Sequence, residues 1–281
     1  MATLSNNRLT LLELAKRTDP NGSTADIVEL LRQQNEIIND INFMPGNLTT
    51  GHRTTVRRGL PTPTWRMLNK GLSSSASRTA QITFNTGSIE QLSEIDQRLI
   101  DMAEDKIGAR FSEDEASIQA INEEFSRALF YGNESLNPEE MTGIVSYYND
   151  LSAESADNII DAGGTGSDNA SIWLIGWAPN TVTGIVPKHS TAGLVMKDLG
   201  ERMKDLTDGT SLPVFSTHMT MNVGLAVKDW RYAVRIANID RSALKADASS
   251  GPNLPQLMFE AIELLESTEG VVPVFYMDKS I

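Results

Sequence analysis

MPGNLTTGHRTTVRRGLPTPTWRMLNKGLSSSASRTAQITF, residues 44–84, is the stretch on which the reading of this chain turns. It lies within a longer segment, Ile41 to Ile89, that contains no Asp or Glu. Positive charge comes from Arg53, Arg57, Arg58, Arg66, Lys70 and Arg78. The rest of the chain is acidic enough to bring the net charge to -13. With little apolar material and much Gly, Pro, Ser and Thr, such a segment cannot bury enough surface to fold alone. It reads as an arm ordered on something negative, and the acidic remainder of the same protein is a candidate surface. Thr54–Arg58 and Thr79–Asn85 are its better strand candidates, with Ala80, Ile82 and Phe84 alternating onto one side. Pro61, Pro63, Gly71 and Ser73–Ser77 between them keep the backbone turning. A long two-stranded flap is the natural expectation.

The 281 residues suffice for one large domain or two modest ones. A pI near 4.7 makes the chain as a whole a poor ligand for nucleic acid or anionic membrane. No apolar run approaches the roughly 18–20 residues that span a bilayer. The opening MATLSNNRLTLLELAKR is broken by Glu13, Lys16 and Arg17, unlike a signal peptide. The absence of cysteine excludes disulfides, thiolate chemistry and metal–thiolate sites. These features suggest a soluble protein of a cytoplasm-like compartment.

Helical periodicity is expected at Leu9–Lys16 and Thr24–Ile41, with Pro45-Gly46 ending the second. After the flap, Ser88–Ala103 places Ile89, Leu92, Ile95, Leu99 and Met102 at helical spacing. Ser112-Glu113-Asp114-Glu115 then opens a predicted helix to Phe130, its carboxylates in the turn the helix dipole favours. Ile118, Ile121, Phe125 and Leu129 form its stripe, and Tyr131-Gly132-Asn133 stops it. Asn137-Pro138 through Gly143 makes a turn, and Asp157–Ala170 reads as a loop. Strands follow at Ser171–Trp177, Val182–Val186, Gly193–Leu199, Val214–Val227 and Trp230–Ala237. In the last, Tyr232, Val234 and Ile236 alternate against Arg231, Arg235 and Asn238. A helix over Leu254–Ser267 leads into a strand at Val271–Tyr276. The class is α+β.

Little here carries catalysis. His52, His189 and His218 are far apart and outside any ligand spacing. Asp161-Ala-Gly-Gly-Thr-Gly-Ser-Asp168 has no Lys after Gly166 for a P-loop and precedes a strand, not a helix. Glu113–Glu115 and Glu139-Glu140 sit at expected helix starts or turns, and no Ser has a nucleophile-elbow context. No catalytic, cofactor-binding or metal-binding residue is assigned, and no cofactor. The flap could meet nucleic acid, a membrane surface or a neighbouring subunit. Trp65 is its lone ring between Phe43 and Phe84, too few for a single-strand stacking platform. Duplex binding through phosphates stays open, while sign complementarity within the same protein favours self-assembly.

The order of features resembles the tailed-bacteriophage major capsid proteins of the Hong Kong 97 fold, in the branch found in short-tailed phages. Met44–Phe84 is similar to that fold's extended loop. EEFSRALFYGNESLNPEEMTGI (Glu123–Ile144) is similar to the end of its spine helix and the turn that follows. SIWLIGWAPNTVTGIVPK (Ser171–Lys188) and LAVKDWRYAVRIANID (Leu225–Asp240) look like stretches of the short-tailed branch. The resemblance implies an N-terminal arm with helices over residues 1–43 and an extended loop over 44–87. It further implies a peripheral domain over 88–250 with its spine helix at 112–131 and antiparallel strands. Residues 251–281 would begin an axial domain, incomplete here, in a permuted element order. The implied function is structural rather than enzymatic: hexamers and pentamers closing an icosahedral virion shell around double-stranded DNA, assembled in the host cytoplasm. Portal, scaffolding or decoration proteins are possible partners; a membrane is not. Arg53, Arg57, Arg58, Trp65, Arg66, Lys70 and Arg78 become inter-subunit contact candidates. Some relatives form Lys–Asn crosslinks, but Lys70 carries no signature of that reaction and reads as a solvated or paired lysine. The alternatives are an encapsulin-like compartment shell or a DNA-binding protein using the basic arm.

Overall fold

The computed structural model of the chain describes residues 37–190, 192–206, 209–246, 251–279 and 281. The expected helix at Leu9–Lys16, and all of Thr24–Ile41 before residue 37, lie outside the described residues. What is seen of the second is a short helix, α1 (Ile37–Asp40). The chain divides into two units, a larger one of residues 37–87, 128–192 and 223–281 and a smaller one whose described parts are 88–127 and 193–222.

The larger unit is built around β5 (Asn169–Trp177), whose last six residues are all buried. A strand covered on both faces needs a continuous apolar run rather than alternation, and WLIGW supplies one. Antiparallel β9 (Ala233–Asp240) lies on one side of it, with β4 (Ile159–Asp161) parallel beyond β9. Antiparallel β10 (Val272–Tyr276) lies on the other side. At its end, Trp177 meets Val182 of β6 (Val182–Val186), which pairs with β1 (Phe43–Pro45) and with the last residues of β8 (Ser211–Val227). Ile160, Ile172, Leu174, Val234, Ile236 and Ile239 form the principal core, with Ala261 and Leu265 from α5 (Leu254–Glu263) and the residues after it. Residues 254–276 therefore share one core and one sheet with strands 159–240. β4 lies inside the stretch 157–170 expected to be a loop, because β9 offers it backbone partners that no local pattern announces. α4 (Arg241–Ala246), unforeseen, continues from β9 and is capped by the Asp240 carboxylate, which accepts from the Ala243 backbone N–H. Trp230–Tyr232 is a single 3-10 turn, not strand.

The smaller unit overturns one expectation. Ser88–Ala103 is not a helix. β3 (Arg78–Asp96) runs through it, and only α2 (Gln97–Met102) is helical. The 3–4 spacing of Ile89, Leu92 and Ile95 is outweighed by a two-residue burial period. Ser93 and Ile95 are buried while Leu92 is exposed. Glu90 and Glu94 reach strand neighbours, His218 of β8 and Arg202 and Lys204 of β7 (Leu194–Asp205). Tertiary partners override local propensity in such a segment. Asp96 then caps α2 by accepting from the Arg98 backbone N–H.

The long helix is also displaced. α3 spans Lys106–Tyr131, beginning six residues before Ser112. Asp105 caps it, its carboxylate accepting from the Gly108 N–H at 2.9 Å. Glu113-Asp114-Glu115 therefore sits inside the helix, and buried Asp114 accepts from the Thr217 hydroxyl at 3.1 Å. Ile95, Leu99, Ile100 and Ala109 form this unit's core, with Phe215 against it.

In the larger unit α3 ends where expected. The Gly132 N–H returns to Ala128 O at 2.9 Å, and Gly143 N–H donates to Gly132 O at 2.9 Å. A Cβ on Gly132 would stand 2.3 Å from Met141 O, and one on Gly143 would stand 2.6 Å from Gly132 N. The two backbones touch because neither residue has a side chain. Ile144 and Tyr148 follow, both fully buried.

Candidate functional site

The flap is a hairpin. β2 (Gly51–Gly59) pairs antiparallel with β3 from Gly51↔Asn85 to Arg57↔Thr79, with an irregularity between Arg57 and Gly59. Its root is fixed. Asn47 holds Arg53 at both backbone groups, each at 2.7 Å, and Asn85 donates to Glu134 at 2.5 Å. Phe84 is buried with Ile185 and Ala226, and Ile82 and Met44 pack against that cluster. The expected alternation of Ala80, Ile82 and Phe84 is what seats the hairpin. His52 lies in this root with its ring Nδ1 buried and unpartnered among the described residues. Burial, and then the charge of Lys228, hold its pKa below the usual histidine value.

Beyond Gly59 the hairpin opens. Residues 60–77 have no strand and every one is exposed. A tip turn forms with Asn69 at φ 62, where Lys70 N–H donates to Met67 O and Arg66 Nε to Lys70 O at 2.9 Å. Ser75 Oγ donates across to Thr62 O at 3.1 Å. Trp65 is fully exposed, at 104% of its reference area, and Leu60, Met67, Leu68 and Leu72 also face outward.

The candidate cations are spread along this hairpin, not gathered at one point. Arg57 and Arg78 stand where the ladder ends, opposite Thr79 and Gly59. Arg53 donates to Thr83 Oγ1 at 3.2 Å. Arg58 lies on β2, and Arg66 and Lys70 share the tip turn. Among the described residues, Arg53, Arg57, Arg66, Lys70 and Arg78 meet no carboxylate.

The body carrying the flap contains an aromatic centre that sequence reading missed. The Arg235 guanidinium lies 5.2 Å over the Trp173 ring and donates to Tyr148 O at 2.8 Å and to Ser171 Oγ at 3.2 Å. Phe130 and Tyr148 pack on Trp173. Tyr148 OH donates to Trp230 O at 2.6 Å, and burial drives its pKa far above the phenolic range. Trp177 Nε1 donates to the Tyr276 hydroxyl, which donates to Asp40. Trp173 Nε1 is buried without a hydrogen-bond partner among the described residues; the other polar groups end on backbone carbonyls, on the Ser171 hydroxyl, on one another or on Asp40, and so hold the elements together. Alternation along β9 sets Arg235 opposite Val234 and Ile236, on the solvent side; cation–π stacking on Trp173 draws it inward.

A basic hairpin whose open, apolar-tipped end is exposed and whose described cations meet no carboxylate among the described residues is the part of this molecule suited to another surface. The family model of the major capsid protein GP7 matches residues 19–281. The chain belongs to this capsid protein family. Among solved structures, a chain of bacteriophage epsilon15 is 29% identical, with all of this chain and 85% of that one aligned at a TM-score of 0.79. The capsid of a native GTA particle is 12% identical over 78% of this chain and 95% of that chain, at a TM-score of 0.53. A Mycobacterium phage Adephagia chain is 11% identical over 78% and 92%, at 0.51. At those identities the last two show the fold alone. The search of curated proteins finds no match. This capsid protein has the α+β Hong Kong 97-like fold that its sequence resembles, and its place is the virion shell, built from copies of itself.

Proposed function

We propose that this capsid protein closes an icosahedral head of hexamers and pentamers around double-stranded DNA, assembled in the host cytoplasm, with the flap of each copy lying across the next. The carrying observation is the flap tip, where Trp65 is fully exposed beside Arg66 and Lys70, which meet no carboxylate among the described residues. An apolar ring so displayed gains free energy only when a partner covers it. The flap is read as the extended loop of residues 44–87, and residues 112–131 of α3 as the spine helix. Arg53, Arg57, Arg58, Arg66, Lys70 and Arg78 supply charge to the contact and Trp65 its apolar anchor. A net charge of -13 suits a shell that encloses DNA without adhering to it. Portal, scaffolding or decoration proteins would be further partners, and Lys70 acts as a solvated or paired cation.

Charge reversal at Arg57 and Arg58 tests this. The variant is expected to stay soluble with an unchanged melting curve while particles vanish from negative-stain micrographs. Normal closed shells from that variant would sink the flap-contact reading.

A further inference from the structure

The acid-free flap has a mirror image in the same chain. From Ala246 to Asp278 there is no Lys, Arg or His, and the carboxylates of Asp247, Glu260, Glu263, Glu266, Glu269 and Asp278 are the only charges. The centre of this stretch is α5. Its inner side, with Leu257, Met258, Ala261 and Leu264, packs on the core formed by β4, β5 and β9. Its outer side is left open. Phe259 is 70% exposed and Ile262 41%, three residues apart and so on one face, with Glu260 and Glu263 exposed beside them. Glu266 is engaged by Arg231 at 3.1 Å and Asp278 by Arg241 at 3.6 Å. Glu260, Glu263 and Glu269 meet no cation among the described residues.

Two other exposed apolar faces compete less well. At the start of α3, Ile107 and Phe111 face outward, but Lys106 and Arg110 lie among them and already hold Asp101 and Asp198. On β7, Val195, Met196 and Met203 stand among charges of both signs, Lys197, Arg202 and Lys204 with Asp198, Glu201 and Asp205. A cationic flap gains least where cations already stand, and electrostatic complementarity selects partners by sign. α5 alone of the three offers an apolar pair on a segment whose own charges are all negative.

We infer that the outer face of α5 is the seat, on a second copy of this chain, for the flap tip. Trp65 and Leu68 cover Phe259 and Ile262, while Arg57, Arg66 and Lys70 meet Glu260, Glu263 and Glu269. The open segment 60–77 can extend up to about 30 Å beyond the hairpin ladder, far enough to cross onto a neighbour. This deepens the flap-contact reading and rests on it.

The absence of native cysteine provides a clean test. Leu68→Cys and Phe259→Cys are both at exposed positions, so neither disturbs a core. The double variant, assembled and then oxidised, is expected to run on a non-reducing denaturing gel as a ladder of covalent multimers. Either single variant should stay short of a ladder. In parallel, Arg57→Glu with Arg66→Glu is expected to lower particle yield at least about tenfold, and adding Glu260→Arg with Glu263→Arg to restore it to within about threefold. Circular dichroism melts confirm that each subunit is folded. A ladder together with charge-swap rescue supports the α5 seat. No ladder and no rescue, with the flap reversal still blocking assembly, overturns the seat but keeps the flap contact. A ladder from Leu68→Cys with Phe111→Cys would then locate it at the start of α3. Normal shells from the flap reversal overturn the flap contact itself, and the seat with it.

Discussion

Trp65 and Trp173 are the same residue in opposite circumstances. Trp173 is 3% exposed, with Arg235 stacked on one side, Tyr148 and Phe130 against it and β9 and β10 on either side of its strand. Trp65 is fully exposed, and among the described residues the nearby Arg66 donates to the carbonyl of Lys70. The difference shows where each pairing is completed. Around Trp173 the stacked cation, the rings and the carbonyl that Arg235 donates to all come from one chain. At Trp65 the described residues supply cations and a ring but neither a carboxylate nor cover, which leaves the complement to another surface.

The comparison breaks most sharply under truncation of the two tryptophans. Trp173→Ala should cost the isolated subunit about 3–5 kcal/mol, read as a large drop in its thermal or denaturant midpoint, because a buried ring and its stacked guanidinium lose their contacts together. Trp65→Ala should leave that midpoint within about 0.5 kcal/mol of the parent. Its effect falls on assembly, where loss of an anchoring aromatic worth about 2 kcal/mol raises the concentration needed for particles roughly 30-fold by light scattering. Equal subunit melts for the two variants would erase the distinction.

A smaller effect sharpens it from the charged side. Glu94 is nearly buried and, unlike Arg53, Arg57, Arg66, Lys70 and Arg78, meets opposite charges among the described residues: Arg202 at 2.9 Å and Lys204. Burial raises its pKa, but the hydrogen bonds and charges of Lys204 and Arg202 outweigh this and hold it below the usual glutamate value. A depressed carboxyl pKa stabilises the fold above the unfolded value and loses that contribution as pH falls through the folded one. Glu94→Gln should therefore cost about 1 kcal/mol at neutral pH. The gap from the parent should close as pH drops well below about 4, as followed by melts across pH. A gap that persisted in acid would show packing, not charge, to be its source.

Much of this was legible in one dimension because the signals are local. Missing carboxylates, clustered Gly and Pro, and the alternation of Ala80, Ile82 and Phe84 described a hairpin that could not fold alone, and the hairpin is there. Ile121, Phe125 and Leu129 at helical spacing became the buried stripe, and Gly132 ended the helix. The misreadings share a cause. Ser88–Asp96 has helical spacing but is strand; the carboxylates at 113–115 looked like a helix start but lie within α3, after the Asp105 cap. Both segments carry a plausible local pattern whose competitor is a partner far along the chain: Arg202 and Lys204 for Glu94, Thr217 for Asp114.

By itself, then, the sequence determined the sign of charge along the chain, the turn content of the flap, the periodic stripe of the spine-like helix and the family resemblance. Each of these is a property of neighbours in sequence. Only the tertiary structure decided that Ser88–Asp96 pairs as strand, that Arg235 turns inward onto Trp173, that β4 joins β9, and that residues 254–276 share a core with strands 159–240. It also decided which face of α5 stays open. Hydrogen bonds, stacking and burial between residues far apart in sequence set these outcomes, and no local period encodes them.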